Sequence, residues 1–175
     1  RRGLGNGCVM PAGPLRAPLK VQTPHADVIV IVDGVPTTPE KRAQLKAAFA
    51  SLTGAPVLDA GIEPAGSADL RGKTVVAYCG IAGPERFFDM VAALGAHVVD
   101  RAAFRDHHRL SEAEARQLLE KAQSSAALLV TTEKDLARLS GESGARAALR
   151  TASIPVAIGV SLQPGDEERL SDLLS

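Results

Sequence analysis

The run Val28-Ile29-Val30-Ile31-Val32 is apolar at every position. A strand with one face in water alternates apolar and polar residues. A strand without that alternation reads as buried on both faces, as in a parallel sheet covered by helices. Comparable segments return at Thr74 to Cys79, His97-Val98-Val99, Ala126 to Val130 and Val156 to Val160, with a short strand near Pro56-Val57-Leu58. Helix signals fall between them. Thr38-Pro39 supplies an N-cap and a proline at the first helical position, and Leu45, Phe49 and Leu52 follow at helical spacing. Pro84 opens a helix with the apolar face Phe87, Phe88, Val91 and Leu94, stopped by Gly95. Ser111 and Glu114 form a capping box ahead of Leu118, Leu119 and Ala122. Thr132 caps a short helix, and Asp166 to Leu174 is a last one. Strands alternating with helices predict an α/β fold, a Rossmann-like three-layer sandwich with a mainly parallel sheet.

Residues 1–24 do not share the pattern. Gly3, Gly5, Gly7, Pro11, Gly13, Pro14, Pro18 and Pro24 interrupt any regular element, so this stretch is expected to be an irregular linker ahead of one α/β domain over 25–175. The chain opens with Arg1-Arg2-Gly3 and has no initiator Met, which suggests a fragment or a processed chain. An apolar fraction of 45% suffices for a core, and with 3% aromatics the core must be built from Val, Leu, Ile and Ala. Twenty Lys and Arg balance twenty Asp and Glu, so no basic field argues for a nucleic-acid partner. Cys8 and Cys79 fit no metal spacing and read as small buried apolar residues in a reducing compartment. No apolar run reaches the ~18–20 residues of a membrane span, and no signal peptide is visible.

Three turns carry the polar chemistry: Gly80 to Phe88, Phe104-Arg105-Asp106-His107-His108, and Thr131-Thr132-Glu133-Lys134-Asp135. Each leaves a predicted strand. If those strands are parallel, the turns gather at the carboxyl edge of one sheet, where open α/β sheets bind ligands. Asp106-His107-His108 has three readings. A carboxylate beside an imidazole suits a general base or its orienting partner, Asp and His are both metal ligands, and the segment also fits a polar turn before a helix. The triplet is shared with DHH phosphoesterases, which need further Asp motifs upstream that are absent here. In the third turn, Thr132 and Asp135 can cap the following helix. Alternatively Lys134 meets an anionic ligand there. Arg86, one turn into the Pro84 helix, reads as a solvated charge or a phosphate contact. No G-x-x-x-x-G-K-[ST] phosphate loop occurs in the chain.

Taken in order, Gly3 to Gly7, Pro11 to Pro18, Gly80 to Phe88, Phe104 to His108 and Thr132 to Asp135 resemble five blocks of the C-terminal half of tetraacyldisaccharide 4′-kinases, the lipid A 4′-kinases. Ala17 departs from the family's usual Glu, and Gly83 stands where Asn is common. The resemblance implies ATP-dependent phosphorylation of the 4′-hydroxyl of a lipid A disaccharide precursor, with Mg²⁺, at the cytoplasmic face of the bacterial inner membrane. It implies that the phosphate loop lies in a missing N-terminal domain, through which the enzyme would reach the membrane surface. The fragment alone is then expected to bind no cofactor or metal and to be inactive. His107 takes the family's catalytic position, assisting an upstream Asp, with Asp106 orienting it. Arg86, Glu133, Lys134, Asp135 and Arg16 are carried over as substrate or interdomain residues. The rival expectation is a non-catalytic Rossmann-like module that orders a partner domain. An open edge lined by His107, Lys134 and Arg86 would favour the kinase reading, and an edge filled by the chain's own loops the module.

Overall fold

A computed structural model describes residues 6–32, 38–66 and 69–175. The chain divides into two compact units, Pro64–Gly159 and a unit made of Arg1–Glu63 with Val160–Ser175. This division differs from the single domain expected over 25–175.

In the unit that contains both ends of the chain, α1 (Leu19–Gln22) is followed by β1 (Ile29–Val32), α2 (Pro39–Thr53) and β2 (Val57–Pro64). Residues 6–18, expected to be irregular, form a closed loop. Met10 N–H donates to Leu15 O at 2.8 Å, Leu15 N–H to Cys8 O at 3.2 Å, and Asn6 Nδ2 to Ala12 O at 2.7 Å. Gly13 is required there, because a Cβ would lie 2.2 Å from Asn6 Oδ1 and 2.3 Å from Cys8 O. Cys8 is exposed rather than buried, since this loop has no core around it. Thr38 caps α2 by accepting the Lys41 N–H at 3.4 Å, and Gly54, at φ +66°, ends it. β1 is not buried on both faces. Among the described residues it pairs, in parallel, only with β2, at the edge of a sheet ordered β1-β2-β7, and Val30 and Val32 are exposed. Its two-sided apolar pattern is thus only half used.

The unit Pro64–Gly159 positions the site. It contains β3 (Thr74–Cys79), α3 (Pro84–Ala93), β4 (His97–Ala103), α4 (Glu112–Ser124), β5 (Leu128–Thr132), α5 (Glu133–Arg138), α6 (Gly144–Ala152) and β6 (Ser153–Val156). The strands are all parallel in the order β4-β3-β5-β6. Side chains of β3 alternate between two cores, as the period of a strand requires. Val75, Ala77 and Cys79 pack on Phe87, Phe88 and Val91 of α3. Val76 and Tyr78 pack on Ala115, Leu118 and Ala122 of α4 and on Leu149 of α6. Helices therefore cover both faces of the sheet, giving the expected three-layer arrangement. The Tyr78 hydroxyl, buried in the second core, pairs with Ser153 Oγ at 2.8 Å, and Ser153 donates to Leu149 O. Burial pushes the Tyr78 phenol pKa up.

Two predicted strands are displaced. The Ala126 to Val130 segment begins later, at Leu128, because Ala126 takes a left-handed turn at φ 48° after α4. The strand expected over Val156 to Val160 is two strands: β6 ends at Val156, and β7 (Ile158–Leu162) belongs to the three-stranded sheet. A last helix, α7 (Asp166–Leu174), follows as predicted.

Phe88 is 1% exposed at the centre of the α3 core. Phe88→Ala should lower the unfolding free energy by about 3–5 kcal/mol, measured by urea denaturation.

Candidate functional site

From β3 the chain crosses to β4 through α3, then returns across β3 to β5 through α4. The strand order reverses between β3 and β5, so the carboxyl ends of these two neighbours form the topological switch point, the usual ligand crevice of an open α/β sheet. The turns after β3, β4 and β5 do gather at this edge.

Asp135, only 6% exposed, occupies the crevice. Its carboxylate accepts the Gly80 N–H at 2.9 Å and the Thr132 hydroxyl at 2.7 Å, and it pairs with Arg138 Nη1 at 2.8 Å. Arg138 Nη1 also donates to Gly80 O at 3.2 Å. Thr132 caps α5 as expected, accepting the Asp135 N–H at 3.1 Å. The Asp135 carboxylate, expected as a second cap, instead ties β5 to β3. Position 80 favours glycine, because a Cβ would lie 3.3 Å from both Arg105 O and Asp135 Oδ1, closer than ordinary contact.

His107 stands on the turn after β4 and is 73% exposed. Its φ of 64° puts a non-glycine residue in the left-handed region, at a cost of about 1–2 kcal/mol. The ring meets Arg138 Nη2 through Nδ1 at 3.0 Å. A guanidinium only donates, so Nδ1 is the acceptor and the proton of the neutral ring sits on Nε2. Asp106 Oδ1 lies 3.8 Å from Nε2 and 3.6 Å from Lys134 Nζ. These are ion-pair separations, longer than hydrogen bonds, so Arg138 is the group bonded to the ring and Asp106 a carboxylate beside it.

His108 turns inward. It stacks on Phe104 with ring centroids 5.3 Å apart, and its Nε2 lies 3.0 Å from both Glu114 carboxylate oxygens. Glu114 completes the predicted capping box with Ser111 at the start of α4. The Ser111 N–H, followed by His108, pulls the Glu114 pKa down to about 2. A small cavity lined by Tyr78, Gly80, His108, Arg109, Asp135 and Arg138 holds about 20 Å³, room for about one water molecule.

Among the predicted site residues, Asp106, His107, Lys134 and Asp135 are thus brought together. Arg86 and Glu133 are exposed and have no hydrogen-bond or ion-pair partner among the described residues. Arg16 is exposed in the other unit. Sequence reasoning missed Arg138. Its signal was the Asp135/Arg138 spacing of three, which puts opposite charges on one helix face. Cys79 is buried as expected, and burial and the nearby Asp135 charge raise its pKa to about 12. No cluster of three His, Cys, Asp or Glu side chains among the described residues can hold a metal ion.

This is a doubly wound α/β unit with an imidazole and charges of both signs at its switch-point edge. The whole chain, residues 1–175, matches the profile of the tetraacyldisaccharide-1-P 4′-kinases, and it belongs to that family. A tetraacyldisaccharide 4′-kinase of Rhodopseudomonas palustris (strain HaA2) is 42% identical over 173 residues, covering 97% of this chain and 48% of that protein. One from Nitrobacter winogradskyi is 42% identical over 175 residues, covering 99% of this chain and 50% of that protein. The chain spans about half the length of the curated relatives it matches. A crystal structure of LpxK from Aquifex aeolicus, described as an "apo" form in complex with ATP, shares the fold with a TM-score of 0.55 and 22% identity, over 97% of this chain and 48% of that one.

Glu114 yields a pH prediction. Its folded pKa of about 2 lies below the ordinary 4.5, so its contribution is complete above about pH 4.5 and is lost as pH falls toward 2. Urea unfolding at pH 5 and pH 3 should show a drop in stability that Glu114→Gln reduces.

Proposed function

We propose that this chain is the part of a lipid A 4′-kinase that brings His107 to the sugar hydroxyl. The reaction would transfer the γ-phosphoryl group of ATP to the 4′-hydroxyl of a tetraacyldisaccharide 1-phosphate. The observation that carries the reading is His107 itself: a solvent-facing imidazole on a strained turn at the carboxyl edge of a parallel sheet, with one ring nitrogen already bonded to Arg138. Strain of this kind gathers at functional positions. The family relationship supplies the reaction, and the resemblance of the Asp-His-His block supplies the role.

Phosphoryl transfer depends on positioning, charge stabilisation and a base for the hydroxyl. Here the chain's own residues are assigned support of that base and part of the positioning. With Nδ1 accepting from Arg138, His107 offers an Nε2–H donor to an acidic residue elsewhere in the complete enzyme, which takes the hydroxyl proton. Asp106 and Lys134 border the ring and set the local charge. The residues described here do not fit MgATP: the sequence has no phosphate loop, and no carboxylate cluster suits a metal. We therefore assign the nucleotide, Mg²⁺ and membrane docking to another part of the complete enzyme. That enzyme would work at the cytoplasmic face of the bacterial inner membrane.

A second reading is favoured by one feature. The switch-point crevice is filled by Asp135 and Arg138, as in a module that only orders a partner domain. Kinetics of the complete enzyme separate the two. His107→Ala should lower kcat by about 10²–10⁴-fold. His108→Ala should affect kcat far less. A polar turn suggests no part in stability for either residue, but the Phe104 stack and Glu114 pair predict that His108→Ala costs about 1 kcal/mol or more. Equal and small effects of both on kcat would favour the module. Calorimetry of this chain with MgATP should show no tight binding, and a micromolar Kd would overturn the division of labour.

A further inference from the structure

We infer that Arg138 is a positioning residue that fixes the tautomer of His107. The inference rests on the reading of His107 given above and adds a residue to which neither the family relationship nor the motif assigns a role. The guanidinium is itself fixed. Nη1 lies between Asp135 Oδ1 at 2.8 Å and Gly80 O at 3.2 Å, and Nη2 reaches His107 Nδ1 at 3.0 Å. Asp135 is in turn held by the Gly80 N–H and the Thr132 hydroxyl. A chain of hydrogen bonds thus runs from the buried ends of β3 and β5 to an exposed imidazole. Because Arg138 has no acceptor, it cannot bond a protonated Nδ1. The neutral ring is left as the Nε2–H tautomer, and a donor rather than a lone pair faces the open edge and Asp106. Without Arg138 the ring is free to exchange tautomers and to rotate away from its strained turn.

A lysine substitution distinguishes this role from a structural one. It preserves a positive charge for Asp135, but an ammonium cannot fork to two sites as a planar guanidinium does. Arg138→Lys is therefore expected to keep the Asp135 pair and lose the His107 bond. The first readout is the ¹⁵N spectrum of histidine-labelled chain at about pH 9, where an ordinary imidazole is neutral, with the His107 signals assigned by their loss in His107→Gln. Wild type should show the Nε2–H tautomer. Arg138→Lys should show a mixture, with a melting temperature close to wild type. An unchanged tautomer in Arg138→Lys would overturn the inference. If that variant fails to fold, Arg138→Gln is read in the same way, since its amide can retain a hydrogen bond in the crevice.

The second readout is kinetic, in the complete enzyme. Arg138→Lys should lower kcat by about 10–100-fold, the usual effect of losing a group that orients an active residue, with KM little changed. Adding His107→Ala to Arg138→Lys should cost no more than His107→Ala alone, because both act through one ring. Additive losses, or a wild-type kcat in Arg138→Lys while His107→Ala is impaired, would overturn the positioning role. The underlying reading fails separately: it falls if His107→Ala leaves kcat unchanged, whatever the tautomer of the ring.

Discussion

One buried carboxylate organises the unit that carries the candidate site. Asp135 draws the end of β3, the end of β5 and the start of α5 onto two oxygens. Hydrogen bonds to a charged group contribute about 1.5–3 kcal/mol each, while an exposed pair such as Lys134–Asp106 contributes about 0–1 kcal/mol. The two interactions are a few residues apart, yet only the first can hold the turns in register. Its burial is what makes it strong and also what makes it exacting. The Gly80 N–H would otherwise be a desolvated donor with no partner, and a side chain at position 80 would press on Asp135 Oδ1.

The same arrangement explains why a sheet edge built like a ligand crevice is not empty. Asp135 and Arg138 occupy the switch point, and the exposed polar groups lie further out, on the Asp106-His107 turn. There the ring is exposed and its free nitrogen faces solvent. Among the described residues this edge presents an imidazole bonded to Arg138 and charges of both signs. This matches the balance of the sequence, which contains an Asp-His-His turn and no phosphate loop.

The layer structure was legible because it follows from short-range rules. The period of β3, the Pro84 start of α3 and the Ser111/Glu114 capping box each act over a few residues. What was not legible depends on neighbours distant in sequence. Val28 to Val32 has the pattern of a central strand, yet among the described residues β1 has a partner on one side only, which no local pattern encodes. The run from Ser153 to Leu162 is shared between two sheets. Helix α6, which opens on Gly144 just after Gly141 and is rich in Ala, announces itself weakly, and Leu149 is its one buried residue. At the site, the motif located Asp106, His107 and Asp135 but not their wiring. His107 is bonded to a residue 31 positions away, and the adjacent His108 faces the interior.

The unit at the chain ends contains an internal control for this wiring. There Asp166, in the first turn of α7, accepts the Asp59 N–H of β2 at 2.8 Å, and Arg169 pairs with Asp166 at 3.4 Å. This resembles the Asp135–Gly80–Arg138 device: a buried carboxylate at a helix start, a backbone N–H in a strand or just beyond its end, and an arginine three residues on. Here the link from helix to strand is the Asp59 N–H bond to Asp166, with Arg169 pairing the carboxylate. Arg169 stops there; it is largely exposed and has no partner besides Asp166 among the described residues. Arg138 goes further, directing its second nitrogen to an imidazole held in a strained turn. The Asp135 device has three bonds that the Asp166 device lacks: the Thr132 hydroxyl to Asp135, Arg138 Nη1 to Gly80 O, and Arg138 Nη2 to His107 Nδ1. The first two stay within the helix–strand junction, and the His107 bond alone leaves it. That reach beyond the junction is the physical ground for treating Arg138 and His107 as one functional pair.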